Sequence, residues 1–291
     1  MFRAFLQGWK VGLQTVRVGL VVYLLQFLLA LTLGMLVYND LQGSIGNSLE
    51  LKKLLFDYDH TVITDLSNKH GGFMKIISGG LPWLVLIWLI FSIFLHGGLF
   101  FCIEKKEPTW DIFWAGGARY FFPFLKIGIL FFTMVLLISG LIWIPLISNF
   151  EPIIRSFPSE REYIFLLFGA FIFYLIIMFF LFSWTTAARF FYLKRTLSIA
   201  NALKIGFQFV KRNYLSIQGL ILLFSLIQLI LVVLYWVIEG NSGMISPTLI
   251  LVFFLIQQIF IFFRIIWRIS LYASINELIE WRDNWYRELI D

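Results

Sequence analysis

Asp57, Asp59, His60 and Asp65 crowd one polar stretch of the chain. Carboxylates and imidazole are the hard and borderline ligands of divalent cations. The same residues also suit a plainer use, since Asp59 ahead of Thr61 and Val62 reads as a helix N-cap. Capping and solvation is the reading adopted here, so neither a metal site nor a catalytic residue is expected, and no cofactor. The three histidines, His60, His70 and His96, stand apart, and Cys102 is the only cysteine, so a disulfide within the chain and a Cys-based metal cluster are excluded.

His96 lies late in an apolar run beside Gly97-Gly98. An ionisable group at membrane depth is a functional candidate, but a neutral imidazole can equally bond a neighbouring helix, and that structural role is expected. Arg264 and Arg268 close another apolar run and Arg189 follows a third. Long cationic stems can lie along apolar surface while their heads reach lipid phosphate. Arg189, Arg264 and Arg268, with Lys204, Lys211 and Arg212, are therefore the candidate contacts to anionic headgroups. Gln26, Gln228, Gln257 and Gln258 are amides inside apolar runs, expected to hold helices together. Ala30 with Gly34, Gly97-Gly98, Ser139-Gly140 and Gly169-Ala170 mark places where helices could approach closely.

The elements that carry these residues follow from composition. Of 291 residues 60% are hydrophobic and 14% charged, and the mean hydropathy is +0.87. An ordinary soluble domain has about 25% charged residues, so a soluble enzyme and a disordered segment are both excluded. Crossing about 30 Å of hydrocarbon takes roughly 20 apolar residues in a helix. Six runs qualify, at 18–38, 82–103, 127–148, 163–184, 217–238 and 244–268. They are continuous, not alternating as barrel strands would be. The fold class expected is all-α: one polytopic helical bundle over 1–291, six transmembrane helices with amphipathic interfacial helices. No Asp or Glu lies inside the run cores, which argues against the usual proton-coupled transporter but leaves a lipid transporter open. A phosphate-binding loop, an HExxH pair and a nucleophile elbow are all missing from the sequence.

Lys and Arg divide 17 to 6 between the two sides of such a bundle. The bias predicts both termini in the cytoplasm and, with the +6 net charge, anionic lipid, not nucleic acid, as the partner. Trp83, Trp143 and Trp236 are placed at the outer boundary, and Trp110, Trp114, Trp184 and Trp267 at the inner one, as an aromatic belt. Residues 1–17 read as an amphipathic helix ahead of an uncleaved first span. The outer loop 39–81 is expected to carry short surface helices. Interfacial helices are predicted at 109–122 and 197–212, the second with Ile199, Leu203, Phe207 and Val210 as its apolar face. The stretch after the sixth span is expected to continue it as a surface helix. A shift of 90 residues lays Gly97-Gly98-Leu99-Phe100-Phe101 on Ala187-Ala188-Arg189-Phe190-Phe191, Gly116 on Gly206 and Ile127 on Ile217. That would be a parallel repeat about the membrane normal, or the shared composition of membrane spans.

Ser48, Phe56-Asp57, Gly97-Gly98, Phe113, Arg119-Tyr120-Phe121, Ala188-Arg189, Ala202 and Phe209-Val210-Lys211-Arg212 give the chain a further likeness. Along nearly its whole length it resembles a family of uncharacterised bacterial six-span membrane proteins. That family is loosely similar to the membrane domain attached to some glycerophosphodiester phosphodiesterases. It departs from the pattern at Thr186-Ala187, where an acidic residue and Tyr are expected. The resemblance implies a bundle in the bacterial cytoplasmic membrane and no reaction. The expected function is a non-enzymatic scaffold or accessory subunit, meeting membrane lipids and other membrane proteins. The alternative is a transporter or flippase-like protein for a lipid or other amphiphile, with a cavity floored by Arg189, Arg264 and Arg268. A lipid-sized polar cleft among the spans would favour the alternative.

Overall fold

The computed structural model describes residues 1–45, 72–148, 160–195, 198–242 and 247–288. Among them are eight helices and no strand: α1 (Phe2–Gln14), α2 (Val16–Ile45), α3 (Gly72–Lys105), α4 (Trp110–Ser148), α5 (Glu160–Arg195), α6 (Ile199–Arg212), α7 (Tyr214–Ser242) and α8 (Pro247–Glu288). Six of them, all but α1 and α6, are long and apolar enough to cross a membrane. The chain is thus an all-α integral membrane protein. With no water in hydrocarbon to satisfy backbone N–H and C=O groups, continuous helices are the solution such apolar runs can adopt.

The helices outrun the apolar segments at most ends. α2 carries on to Ile45 and α3 already begins at Gly72, so both ends of 39–81 are helix, while Asp57, Asp59, His60 and Asp65 lie outside the described residues. The stretch 109–122 is not a separate interfacial helix but the first turns of α4, which runs through Pro123 without a break. The position 90 residues later is Asn213, where the chain does divide, between α6 and α7. There the Asn213 amide Nδ2 donates to the Phe209 carbonyl (3.1 Å). The C-terminal stretch continues the last span, as α8 reaches Glu288, but it is not a surface helix there: Ile275, Asn276, Leu278 and Ile279 are buried in the bundle.

The most extensive helix contacts are α3 with α4, α1 with α8, and α5 with α6. Each is made by small residues. In lipid the hydrophobic effect gives helices little reason to associate, so close backbone approach and van der Waals packing must do it. A Cβ on Gly98 would lie 2.5 Å from the Phe113 carbonyl oxygen, and one on Gly117 2.7 Å from the Phe94 ring. Gly8 and Gly12 of α1 press on Ser274 and Ser270 of α8, a Cβ at Gly8 falling 2.5 Å from the Ser274 nitrogen. Since residue numbers rise on one helix as they fall on the other, α1 is antiparallel to α8. Gly206 meets Ala188 in the same manner (2.9 Å). In the stretches offset by 90 residues, Gly116 and Gly206 both pack on the preceding helix but against non-equivalent residues, Phe101 and Ala188, and Phe100 and Phe190, equivalent under that shift, stack on each other at 4.6 Å.

These pairs gather at one end of the bundle, called here the basic end. Its interior is aromatic: Phe100, Phe113, Phe124, Phe190, Phe191 and Phe224 are fully buried. At its rim Glu280 of α8 ties two other helices, accepting from Lys106 after α3 (2.8 Å) and from Lys194 of α5 (3.1 Å). Lys106 also pairs with Glu277 at 3.0 Å. The expected inner belt is only half a belt. Trp110 and Trp114 are exposed, whereas Trp267 is buried and donates its indole N–H to the Phe224 carbonyl (3.0 Å), and Trp184 donates to the Leu203 carbonyl (2.8 Å). In the opposite half of the spans Tyr163 and Phe253 alone are buried among the described residues.

Candidate functional site: a polar cleft among the spans

α8 approaches the basic end with Ile261, Arg264, Ile265 and Arg268 recurring at helical spacing, and this face does not pack shut. It lines a cleft of about 340 Å³ with Gln26 of α2 and Gln228 of α7. Arg264 and Arg268 are exposed to this space and have no hydrogen-bond or ion-pair partner among the described residues. The Nε2 of Gln228 is buried and also without a partner. A buried amide donor left unmade costs about 1–3 kcal/mol, so the cleft presents donors whose natural complement is an anion. No Asp or Glu lines it.

Direction matters as much as position. Cα–Cβ bonds tilt toward a helix N-terminus, and α8 starts at the opposite end of the bundle. Arg268 therefore leans into the spans and not out past the basic rim, and it lines a second groove of about 400 Å³ together with Leu33, Leu81 and Trp88. Both arginines lie within the membrane-length apolar stretch Thr248–Arg282. A third groove, about 360 Å³, runs between α2 and α8 past Phe27, Leu31 and Phe254. Gln26 lines all three spaces. The Tyr23 hydroxyl donates to Gln258 Oε1 (2.9 Å), joining α2 to α8 beside the cleft, so Gln258 holds helices together while Gln26 and Gln228 remain available.

The other candidates separate from this pair. Arg189 does not line the cleft. Its guanidinium carbon sits over the Phe100 and Phe124 rings, at 5.7 and 5.6 Å, and its Nε is buried without a partner. Cation–π contact is what holds it in the interior. His96 lies within electrostatic range of both Arg189 and Arg268. Its Nδ1 donates to the Ser92 carbonyl, which fixes the tautomer, and Nε2 then accepts from the Tyr272 hydroxyl (3.3 Å). Lys204, Lys211 and Arg212 stay on the exposed surface of α6. The buried face of α6 is Ala202, Gly206, Phe209 and Val210, while Phe207 is exposed. Of the expected face of Ile199, Leu203, Phe207 and Val210, only Val210 is fully buried against the protein, where close approach to α5 selects the small side chains.

Sequence reasoning treated Gln26 and Gln228 as helix glue. The signal that separates them from Gln258 is a partner within reach, which only the fold supplies. Comparison with protein-family models, with curated proteins and with solved structures finds no match to this chain.

Proposed function

We propose that this protein is a non-enzymatic lipid-handling component of the bacterial cytoplasmic membrane, taking an anionic amphiphile into the cleft between α2, α7 and α8. The observation that carries the reading is the pair Arg264 and Arg268, unpaired and turned into the spans beside the unpaired Gln228 amide. Arginine used only as an anchor would reach outward to the headgroup layer. The Lys and Arg bias supports a cytoplasmic position for the basic end and both termini, and on this reading the cleft faces the inner leaflet. A scaffold would need no such donors at membrane depth, and the cleft therefore favours the transporter or flippase-like alternative over the scaffold.

The test is the lipid that travels with the protein. Purified in mild detergent, the wild type should retain anionic lipid in excess of its share of the membrane. Arg264→Gln with Arg268→Gln should lose that excess while accumulating and melting as the wild type does, because neither side chain has a partner to lose. Equal lipid profiles for the two proteins would return the chain to the scaffold reading. Cysteine labelling at Asp291 and at Asn68 should report opposite faces of the membrane.

A further inference from the structure

The three spaces that meet at Gln26 differ in character. The one between α7 and α8 holds Arg264, Arg268 and Gln228. The other two run along neighbouring faces of α2 and share Ala30, one between α2 and α8 past Phe27, Leu31 and Phe254 and the other between α2 and α3 past Leu33, Leu84 and Trp88, and their walls are predominantly apolar. One polar chamber and two apolar grooves match a headgroup and two chains. The charges narrow the headgroup further. Two guanidinium groups sit one helical turn apart, and no carboxylate lines any of the three spaces. A charge held at membrane depth is costly unless it is compensated. A phosphodiester carries one negative charge and would leave one guanidinium unbalanced. A zwitterionic head would bring an ammonium with no acid to receive it. A phosphomonoester brings up to two negative charges and three terminal oxygens near neutral pH, and guanidinium groups meet such oxygens through paired hydrogen bonds.

We infer that the amphiphile has two acyl chains and a phosphomonoester head, the phosphatidate class, with Arg264 and Arg268 sharing its phosphate, one chain along the α2–α8 groove and the other along the α2–α3 groove. The inference rests on the lipid-handling reading above and specifies its ligand.

The full-length protein, in nanodiscs of phosphatidylethanolamine, is titrated with dioleoyl phosphatidic acid, dioleoyl phosphatidylglycerol, oleoyl lysophosphatidic acid and inorganic phosphate, with bound lipid read by native mass spectrometry. One further charge-assisted hydrogen bond is worth about 1.5–3 kcal/mol, so dioleoyl phosphatidic acid should bind about tenfold or more tightly than dioleoyl phosphatidylglycerol. It should also outbind the single-chain form, and inorganic phosphate should not displace it. Arg268→Gln alone should erase the preference over phosphatidylglycerol, while Lys204→Gln with Lys211→Gln should leave it intact. Equal binding of the two dioleoyl lipids, both lost in the Arg264→Gln, Arg268→Gln double variant, would overturn the headgroup assignment and keep the lipid-handling reading. Equal binding of the single-chain form would overturn the two-groove assignment. Displacement by inorganic phosphate at matching concentration would make free phosphate the ligand. Lipid binding that the double variant leaves unchanged would overturn the lipid-handling reading itself.

Discussion

In the basic half of the bundle most glycines face another helix at contact distance, Gly128 being an exception; in the opposite half most face open space. A Cβ on Gly8, Gly12, Gly98, Gly116, Gly117 or Gly206 would run into a neighbouring helix, whereas one on Gly34, Gly79, Gly169 or Gly240 would find nothing within 4 Å. Polar groups divide less sharply. Trp184, Trp267, Lys106, Lys194 and Glu280 are satisfied across helices at the basic end, although Arg189 Nε and Asn276 Oδ1 are buried there without a hydrogen-bond partner; just inside it Arg264, Arg268 and the Gln228 Nε2 have none either among the described residues. Lipid solvates an apolar side chain as well as another helix does. Spans without small residues at matched positions therefore gain little by closing on one another, and a bundle pinned at one end can keep a cleft just inside that end.

The largest effect should come from filling the pinned end. Gly98→Ala places a methyl group 2.5 Å from the Phe113 backbone oxygen, where only a shift of α3 against α4 can relieve it. Overpacking of this kind costs about 1–3 kcal/mol, and Gly8→Ala should behave alike. Gly34→Ala and Gly169→Ala meet no neighbour and should be neutral, or stabilising by up to about 1 kcal/mol through helix propensity. Thermal melting of the four variants in one detergent measures this, and equal losses in both halves would break the comparison.

The next effect tests whether charge helps to pin the end. Glu280 accepts from Lys106 and Lys194, and Lys194 is the less exposed of the two lysines. Glu280→Gln leaves a half-buried ammonium without its counter-charge, at a cost of about 1–3 kcal/mol. If this variant melted like the wild type, small-residue packing alone would account for the basic end.

Much of the fold was legible in the sequence. Runs of apolar residues dictate membrane-length helices whatever their neighbours, so the all-α architecture followed from hydropathy and length alone. Of the close-approach sites proposed, Gly97-Gly98 is one. Gly34 and Gly169 are not, and Gly140 meets nothing but Ile144 of its own helix, while the adjacent Ser139 hydroxyl bonds Tyr174 (3.0 Å). A glycine looks the same in sequence whether or not a partner helix faces it. Gly8 and Gly12 escaped notice because their partners, Ser274 and Ser270, lie at the other end of the chain. The candidate site was half legible. Arg264 and Arg268 stood out as cations ending an apolar run, but Arg189, of the same type and placement, turns onto Phe100 and Phe124 instead. Rotation about the helix axis decides which arginine reaches the cleft, and tertiary packing sets that rotation.

The smallest effect concerns Lys106, the one non-glycine residue with positive φ (58°) among those described. It ends α3 in the left-handed conformation that usually falls to glycine, at a cost of roughly 1–2 kcal/mol for a residue with a Cβ. That turn carries its ammonium to Glu280 and Glu277. The hydrogen bond to Glu280 is the main cause that raises the Lys106 pKa, with Glu277 adding to it against partial burial. A raised lysine pKa means that the attachment contributes fully below the ordinary value of 10.5 and is lost as pH rises through the raised one. Lys106 is half exposed, so its ion pairs are worth at most about 1 kcal/mol. Lys106→Met should keep the strained turn and lose the pairs, melting slightly below the wild type at neutral pH and converging with it at strongly alkaline pH. Lys106→Gly loses the same pairs but relaxes the turn, so it should melt at or above Lys106→Met and close to the wild type. If Lys106→Gly were instead the less stable of the two, the ammonium would not be the only part of this side chain that pins the basic end, and the packing of its aliphatic stem against α8 would have to be added.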